Sequence, residues 1–186
     1  MSDADVDDIG DDADGVAGDH TSDDADRTEE TDPLVEVVRA TGHENVTAEH
    51  ASTVEFTTDD WLTPAGDCIV GVAADRAPRD FSAEFRDACR DAGATITAEI
   101  AVGSPDDESV ALDDPAHAAA IVGRGDPGLT LLDDRSMVAR TSAYTDDERT
   151  VLIEGDAAAG DLDRDLVDAL AAGAPAALRL TVDPGA

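Results

Sequence analysis

The sequence predicts an α+β fold that is mostly β. Two β-rich halves, related by a pseudo-twofold axis and each ending strand–helix–strand, form one barrel-like domain. Three observations lead there. Short alternating or β-branched runs outnumber helical patterns. Two stretches with helical period are each followed by a glycine and a further strand pattern. The order of elements then returns about 80 residues later, as an internal duplication does.

The first half begins with a strand from Leu34, a turn at Gly42 to Asn45, and a strand from Val46 to Phe56. The polar loop TTDDWLTPAGD follows, then a β-branched strand from Cys68 to Ala74. Asp80 caps a helix whose Phe81, Phe85, Ala88 and Cys89 fall on one face, Gly93 ends it, and Thr95 to Val102 alternates as a strand. The second half repeats this with Ala118 to Arg124, a turn at Gly125 to Gly128, a strand from Leu129, then Met137 to Ser142 and Val151 to Ile153. A helix with Leu162, Leu166, Ala169 and Leu170 on one face, Gly173, and a strand from Ala176 to Val182 complete it. Gly42, Val46 and Thr47 match Gly125, Leu129 and Thr130 at an offset of 83, and Asp75, Ala77 and Asp80 match Asp156, Ala158 and Asp161 at 81.

Residues 1–32 hold almost no large apolar side chain and read as a disordered acidic tail, because they cannot bury enough surface to offset ordering entropy. One folded domain is expected over residues 33–183, with a first half at 33–102, an acidic linker at 103–116 and a second half at 117–183. Its core must come from Val, Ile, Leu and Ala, since aromatics are only 3% of the chain.

The chain carries 45 acidic residues against 12 basic ones, all arginine, for a formal charge of -33. Residues 1–32 contain 14 of those acids and Arg27, so the remainder still carries -20. Charge spread over a folded domain, with lysine absent, points to a molar-salt cytoplasm, where screening acts within about 3 Å. The charge then reports solvent rather than partner, and its sign leaves an RNA partner open. The N-terminus is not a signal peptide and no apolar run reaches membrane-spanning length, so a soluble cytoplasmic protein without membrane association is expected. Cys68 and Cys89 lack CxxC spacing and read as thiols.

The segments GHENVT, LTPAGDCIVGVAAD, GRGDPGLTL, SMVARTS and RTVLIEGDAAAGDLDRDLV resemble the archaeal family known as domain of unknown function 371, over residues 34–182. The resemblance implies an archaeal source and brings no established activity. Members of the family that the chain resembles usually carry a basic residue in both Ala-Asp-basic-Ala segments. Here Arg76 supplies the first, and Ala157 stands in the second.

No P-loop, dinucleotide GxGxxG, HExxH or GxSxG motif is present. His43 and His50, seven residues apart, would lie roughly 20 Å apart on opposite faces of a straight strand, so no metal set is predicted. His50 reads as a hydrogen-bonded core histidine, and Cys68 as a structural thiol at a strand start. His43 matches Asp126 in the duplication: the two are turn residues, or an imidazole and a carboxylate able to exchange a proton. Asp67 completes this catalytic set from a loop-to-strand junction. Arg124, Arg140 and Arg76 are the candidate ligand clamps, with internal ion pairing as the alternative.

The leading expectation is a protein that binds a small anionic metabolite in a pseudosymmetric groove, with hydrolase or isomerase activity. A nucleic-acid-binding or translation-associated module, stacking bases on Trp61 or Tyr144, is the first alternative. A protein-interaction scaffold is the second. The sequence does not say which cofactor, if any, the protein uses.

Overall fold

The computed structural model describes residues 32–185, so the expected tail lies outside the described residues apart from Asp32. Eight strands and two helices follow in order: β1 (Leu34–Thr41), β2 (Thr53–Thr57), β3 (Ile69–Gly71), α1 (Ala83–Cys89), β4 (Thr95–Val102), β5 (His117–Arg124), β6 (Ser136–Arg140), β7 (Thr150–Leu152), α2 (Arg164–Ala171) and β8 (Pro175–Asp183). The described residues are therefore mostly β with two α-helices. Residues 103–116 contain neither helix nor strand.

The strands form two four-stranded sheets rather than one closed barrel. The first, in the order β1-β8-β4-β5, is antiparallel throughout. In the second, β3-β2-β6-β7, an antiparallel β2-β6 centre is flanked by two short parallel pairs. The sheets approach one another at two isolated bridges, Thr41 with Val72 and Arg124 with Ile153. Closure stops there because the next residues, Ala73 and Glu154, adopt φ of 51° and 52° and turn the chain out of the extended region.

Left-handed backbone also explains one shortened strand and one that does not form. The expected strand from Val46 forms only from Thr53, and the one expected from Leu129 does not form, because Ala48 and Leu131 take φ of 48° and 50°; β6 matches the separate strand expected from Met137. Val46, Ala48, Leu129 and Leu131 are buried nonetheless, so the alternating apolar pattern seats irregular chain in the core without a ladder. The segment before β2 is held instead by the Asp67 carbonyl, which accepts from the N–H groups of Glu49 and His50.

The helices begin later than Asp80 and Asp161 suggested. Each of these aspartates closes a 3-10 turn by accepting from a backbone N–H, that of Ala77 and of Ala158 respectively. The helices proper are capped by Ser82, which accepts from Phe85 N–H, and by Asp163, which accepts from Asp165 N–H. The predicted faces hold. Phe81, Phe85 and Cys89 are buried, as are Leu162, Leu166, Ala169 and Leu170. The Phe81 and Phe85 rings meet edge to face at 5.5 Å.

α1 packs on β1 and β8, and α2 on β3, β4 and β5. The core lies between facing strand residues of the two sheets: Val54, Phe56, Met137 and Val151 meet Ala98, Ile100, Ile121 and Leu178. Apolar side chains fill these inner faces, and a smaller apolar cluster of Ala101, Val110 and Ala177 lies on the outer face of the first sheet.

Candidate functional site

β2 and β6 alternate, so Val54, Phe56 and Met137 enter the core while Thr53, Glu55, Thr57 and Ser136 project to the opposite face. All four of these polar residues are buried, and so is Thr150 on β7. Of these, Glu55, Thr57 and Ser136 line an open groove of about 390 Å³ together with Asp59, Ile69, Asp133, Asp134, Arg135 and Arg149. Buried polar groups ordinarily carry close partners. Glu55 has a loose nitrogen donor and a thiol: both carboxylate oxygens lie 3.4 Å from Arg149 Nη1, and Cys68 Sγ donates to Oε2 from 3.5 Å, an ordinary length for sulfur.

Asp147 organises the same face. Its Oδ1 accepts from the N–H groups of Arg149 and Thr150 and from the Thr150 hydroxyl, while Oδ2 faces Arg140 and, at 3.6 Å, Arg149 Nε. Burial alone would raise the Asp147 pKa, but hydrogen bonds from Thr150 and the Arg140 guanidinium outweigh it and hold the carboxyl below its usual range. Arg140 also bonds Thr150 Oγ1 at 2.8 Å and lies over the Tyr144 ring at 5.0 Å. Arg140 is thus committed, and Arg149 is the half-exposed cation beside the groove.

Cys68 cannot act as a ready thiolate here. Burial, and then the Glu55 carboxylate, push its thiol up to about 11, and burial takes Cys89 to about 12. Both values lie above the ordinary 9.0, so the folded state favours the protonated thiols. The stability this contributes is present below pH 9 and is lost as the pH rises toward 11–12. Alkylation of Cys68 near neutral pH should run about tenfold or more slower than in the urea-unfolded chain. Glu55→Gln should accelerate it in the folded protein, as mass spectrometry of iodoacetamide time courses can show.

The other candidates occupy turns and ion pairs. His43 Nδ1 accepts from Asn45 N–H, and Asp126 Oδ1 accepts from Gly128 N–H, so each side chain caps its own turn. Arg124 bonds Glu154 from Nε at 2.6 Å and lies 3.5 Å from Asp126. The Glu154 hydrogen bond raises the Arg124 pKa, and Arg124 in turn lowers that of Glu154. Asp67 sits beside Cys68, with its carbonyl holding the chain before β2. Among the described residues, no hydrogen bond or ion pair joins His43, Asp67 and Asp126 to one another. His50 Nδ1 faces Ser52 N–H and Thr53 Oγ1, so it is hydrogen-bonded as expected, but it is only partly buried and not a core residue. No group of three or more metal-binding side chains occurs among the described residues, and no described helix is long and apolar enough to cross a membrane.

The family model for domain of unknown function 371 matches residues 38–183, from β1 to the last residue of β8. The chain belongs to the DUF371 family. An uncharacterised protein of Methanocaldococcus jannaschii is 37% identical over 137 residues, covering 74% of this chain and 91% of that one.

In this DUF371 domain Arg76 bridges from its Nη1 to Glu36 at 2.7 Å and donates from Nη2 to the Asp80 carbonyl. Glu36 is buried and also accepts from Ser82 N–H, so the pair ties β1 to the start of α1. At the positions 83 and 81 residues further on stand Ala119 and Ala157, both packed against the core. The Arg76/Ala157 difference is therefore accompanied by a Glu36/Ala119 difference. Sequence reasoning missed Glu55, Asp147 and Arg149. In TVEFT, Glu55 looks like the solvent side of an alternating strand, and only the scarcity of basic residues could have drawn attention to Arg149.

Proposed function

We propose that this DUF371 protein binds a small metabolite in the groove over β2 and β6. One observation carries the reading: Glu55 is buried on the groove floor, yet its charged partner Arg149 stays 3.4 Å from both carboxylate oxygens, and its other partner is a weak thiol donor. A ligand donor at Glu55 would supply the close hydrogen bond that this carboxylate lacks. The ligand's anionic group would lie against Arg149, the half-exposed cation of the site. Because Glu55, Asp59, Asp133 and Asp134 outnumber Arg135 and Arg149 in the lining, a ligand carrying both signs of charge suits it better than a pure anion. Binding is favoured over hydrolase or isomerase turnover, since His43 and Asp126 are engaged as turn caps and the Cys68 thiol stays protonated. Thermal melts in molar KCl against amino acids, amines and phosphorylated metabolites test this. A zwitterionic class should raise Tm in the wild type and not in Arg149→Gln, and a class that stabilises both equally would refute the assignment.

A nucleic-acid reading has one observation of its own. Trp61 and Tyr144, 83 residues apart and the only two residues of their types, are 60% and 48% exposed in the loops after β2 and β6. Nuclease protection in molar KCl that is lost in Trp61→Ala would favour this module over the ligand reading.

We also infer that the two halves arose by internal duplication about a pseudo-twofold axis. The left-handed residues pair as Ala48 with Leu131 and Ala73 with Glu154, at the offsets of 83 and 81 read from the sequence. The bridges at Thr41–Val72 and Arg124–Ile153 and the 3-10 turns closed by Asp80 and Asp161 pair likewise. A salt-adapted archaeal cytoplasm completes the reading, supported by the charge of -33, the absence of lysine and the Methanocaldococcus jannaschii relative.

A further inference from the structure

We propose that a second pocket, on the outer face of the first sheet, binds a small monocarboxylate with a compact apolar body, and that Asp113 fills its anion position in the free protein. The anchor is Arg179 of β8, which stands opposite Glu99 of β4 in the antiparallel register. Its Nε and Nη2 bond Glu99 at 2.7 and 3.2 Å, so the guanidinium is fixed edge-on by a bidentate pair. Its Nη1 remains, and points to Asp113 Oδ1 at 3.0 Å.

Asp113 belongs to the strand-free segment 103–116, and its side chain is 93% exposed against 28% for Arg179. So exposed a carboxylate is held weakly. Exchanging it for a ligand carboxylate leaves the local charge unchanged, whereas a dianion would add repulsion from Glu99. Beside the ion pair lies a pocket of about 240 Å³ walled by Ala101, Ala118, Ala120, Leu112 and Pro115. Outward-facing alanines, where strands commonly place larger β-branched residues, leave the hollow, and its apolar walls suit a short aliphatic chain or a single ring. Val110, buried against Ala101 and Ala177, anchors the same segment, so Asp113 can swing out without releasing the chain that frames the pocket. Nothing here depends on the groove of the second sheet.

Isothermal titration of the full chain in molar KCl with benzoate and isobutyrate, against benzamide and isobutyramide, tests the assignment. Carboxylates should bind about tenfold or more tightly than the matched amides. Asp113→Asn should tighten carboxylate binding about fivefold, because the internal competitor is removed. Ala120→Leu, at an exposed position, should abolish binding while the protein melts as wild type. Equal binding of acids and amides, weaker carboxylate binding by Asp113→Asn, or no binding by either protein would overturn the proposal.

Discussion

Gly42→Ala should lower the unfolding free energy by about 3 kcal/mol, and Gly125→Ala by a similar amount. A Cβ on Gly42 would lie 1.9 Å from the Leu170 carbonyl oxygen, at the C-terminal end of α2. On Gly125 it would lie 2.3 Å from the Asp91 oxygen and 2.5 Å from that of Cys89, at the end of α1. These obstacles are backbone atoms, which cannot rotate aside. Each glycine also donates its N–H into the same region, Gly42 to the Ala174 carbonyl and Gly125 to that of Ala94, so retreat would break a hydrogen bond. Each turn is thereby locked to the helix of the other half. Gly160→Ala is the control: its nearest neighbours are 3.4 Å away, and it should change stability by less than about 0.5 kcal/mol. Urea unfolding in molar KCl measures all three, and a Gly42→Ala midpoint matching the control would show that the turn can move.

Arg76→Ala should cost about 3 kcal/mol, because it leaves Glu36 buried with only the Ser82 N–H to satisfy it. The double variant Glu36→Ala/Arg76→Ala should recover much of that loss. It places at positions 36 and 76 the residue type that stands 83 and 81 residues further on, where Ala119 and Ala157 pack against the core. A double-mutant cycle by urea unfolding gives the coupling directly. Recovery identifies the pair as a structural tie between β1 and α1. If ligand binding also fell in the double variant, Arg76 would return as a ligand clamp.

β4 was legible to the residue, since Thr95–Val102 alternates in both sequence and structure. The helix faces were legible for the same kind of reason: burial of Phe85 and Leu166 follows from period alone. The stretches around Ala48 and Leu131 were not. Alternating burial predicts a strand, but alanine and leucine carry no mark for the left-handed backbone that tertiary packing imposes on them. The absence of one closed sheet was not legible either, because it depends on Ala73 and Glu154, again ordinary residues in left-handed conformations. Of the candidate site, Arg124 and Asp126 do meet, but within an internal ion pair. The groove was hidden because Glu55 in an exposed strand and Glu55 beneath a loop have the same sequence. Its burial is set by the chain carrying Asp147 and Arg149, which lies 92 residues or more away.

Native mass spectrometry of protein purified throughout in molar salt tests the central claim most directly, comparing wild type with Glu55→Gln/Arg149→Gln. The double variant replaces both charges by amides of similar shape, so the fold should persist. The wild type should retain a small zwitterionic adduct, or take one up from a metabolite extract, and the variant should carry none. The same adduct on both proteins, or none on either after exposure to the extract, would contradict a ligand site built on Glu55 and Arg149.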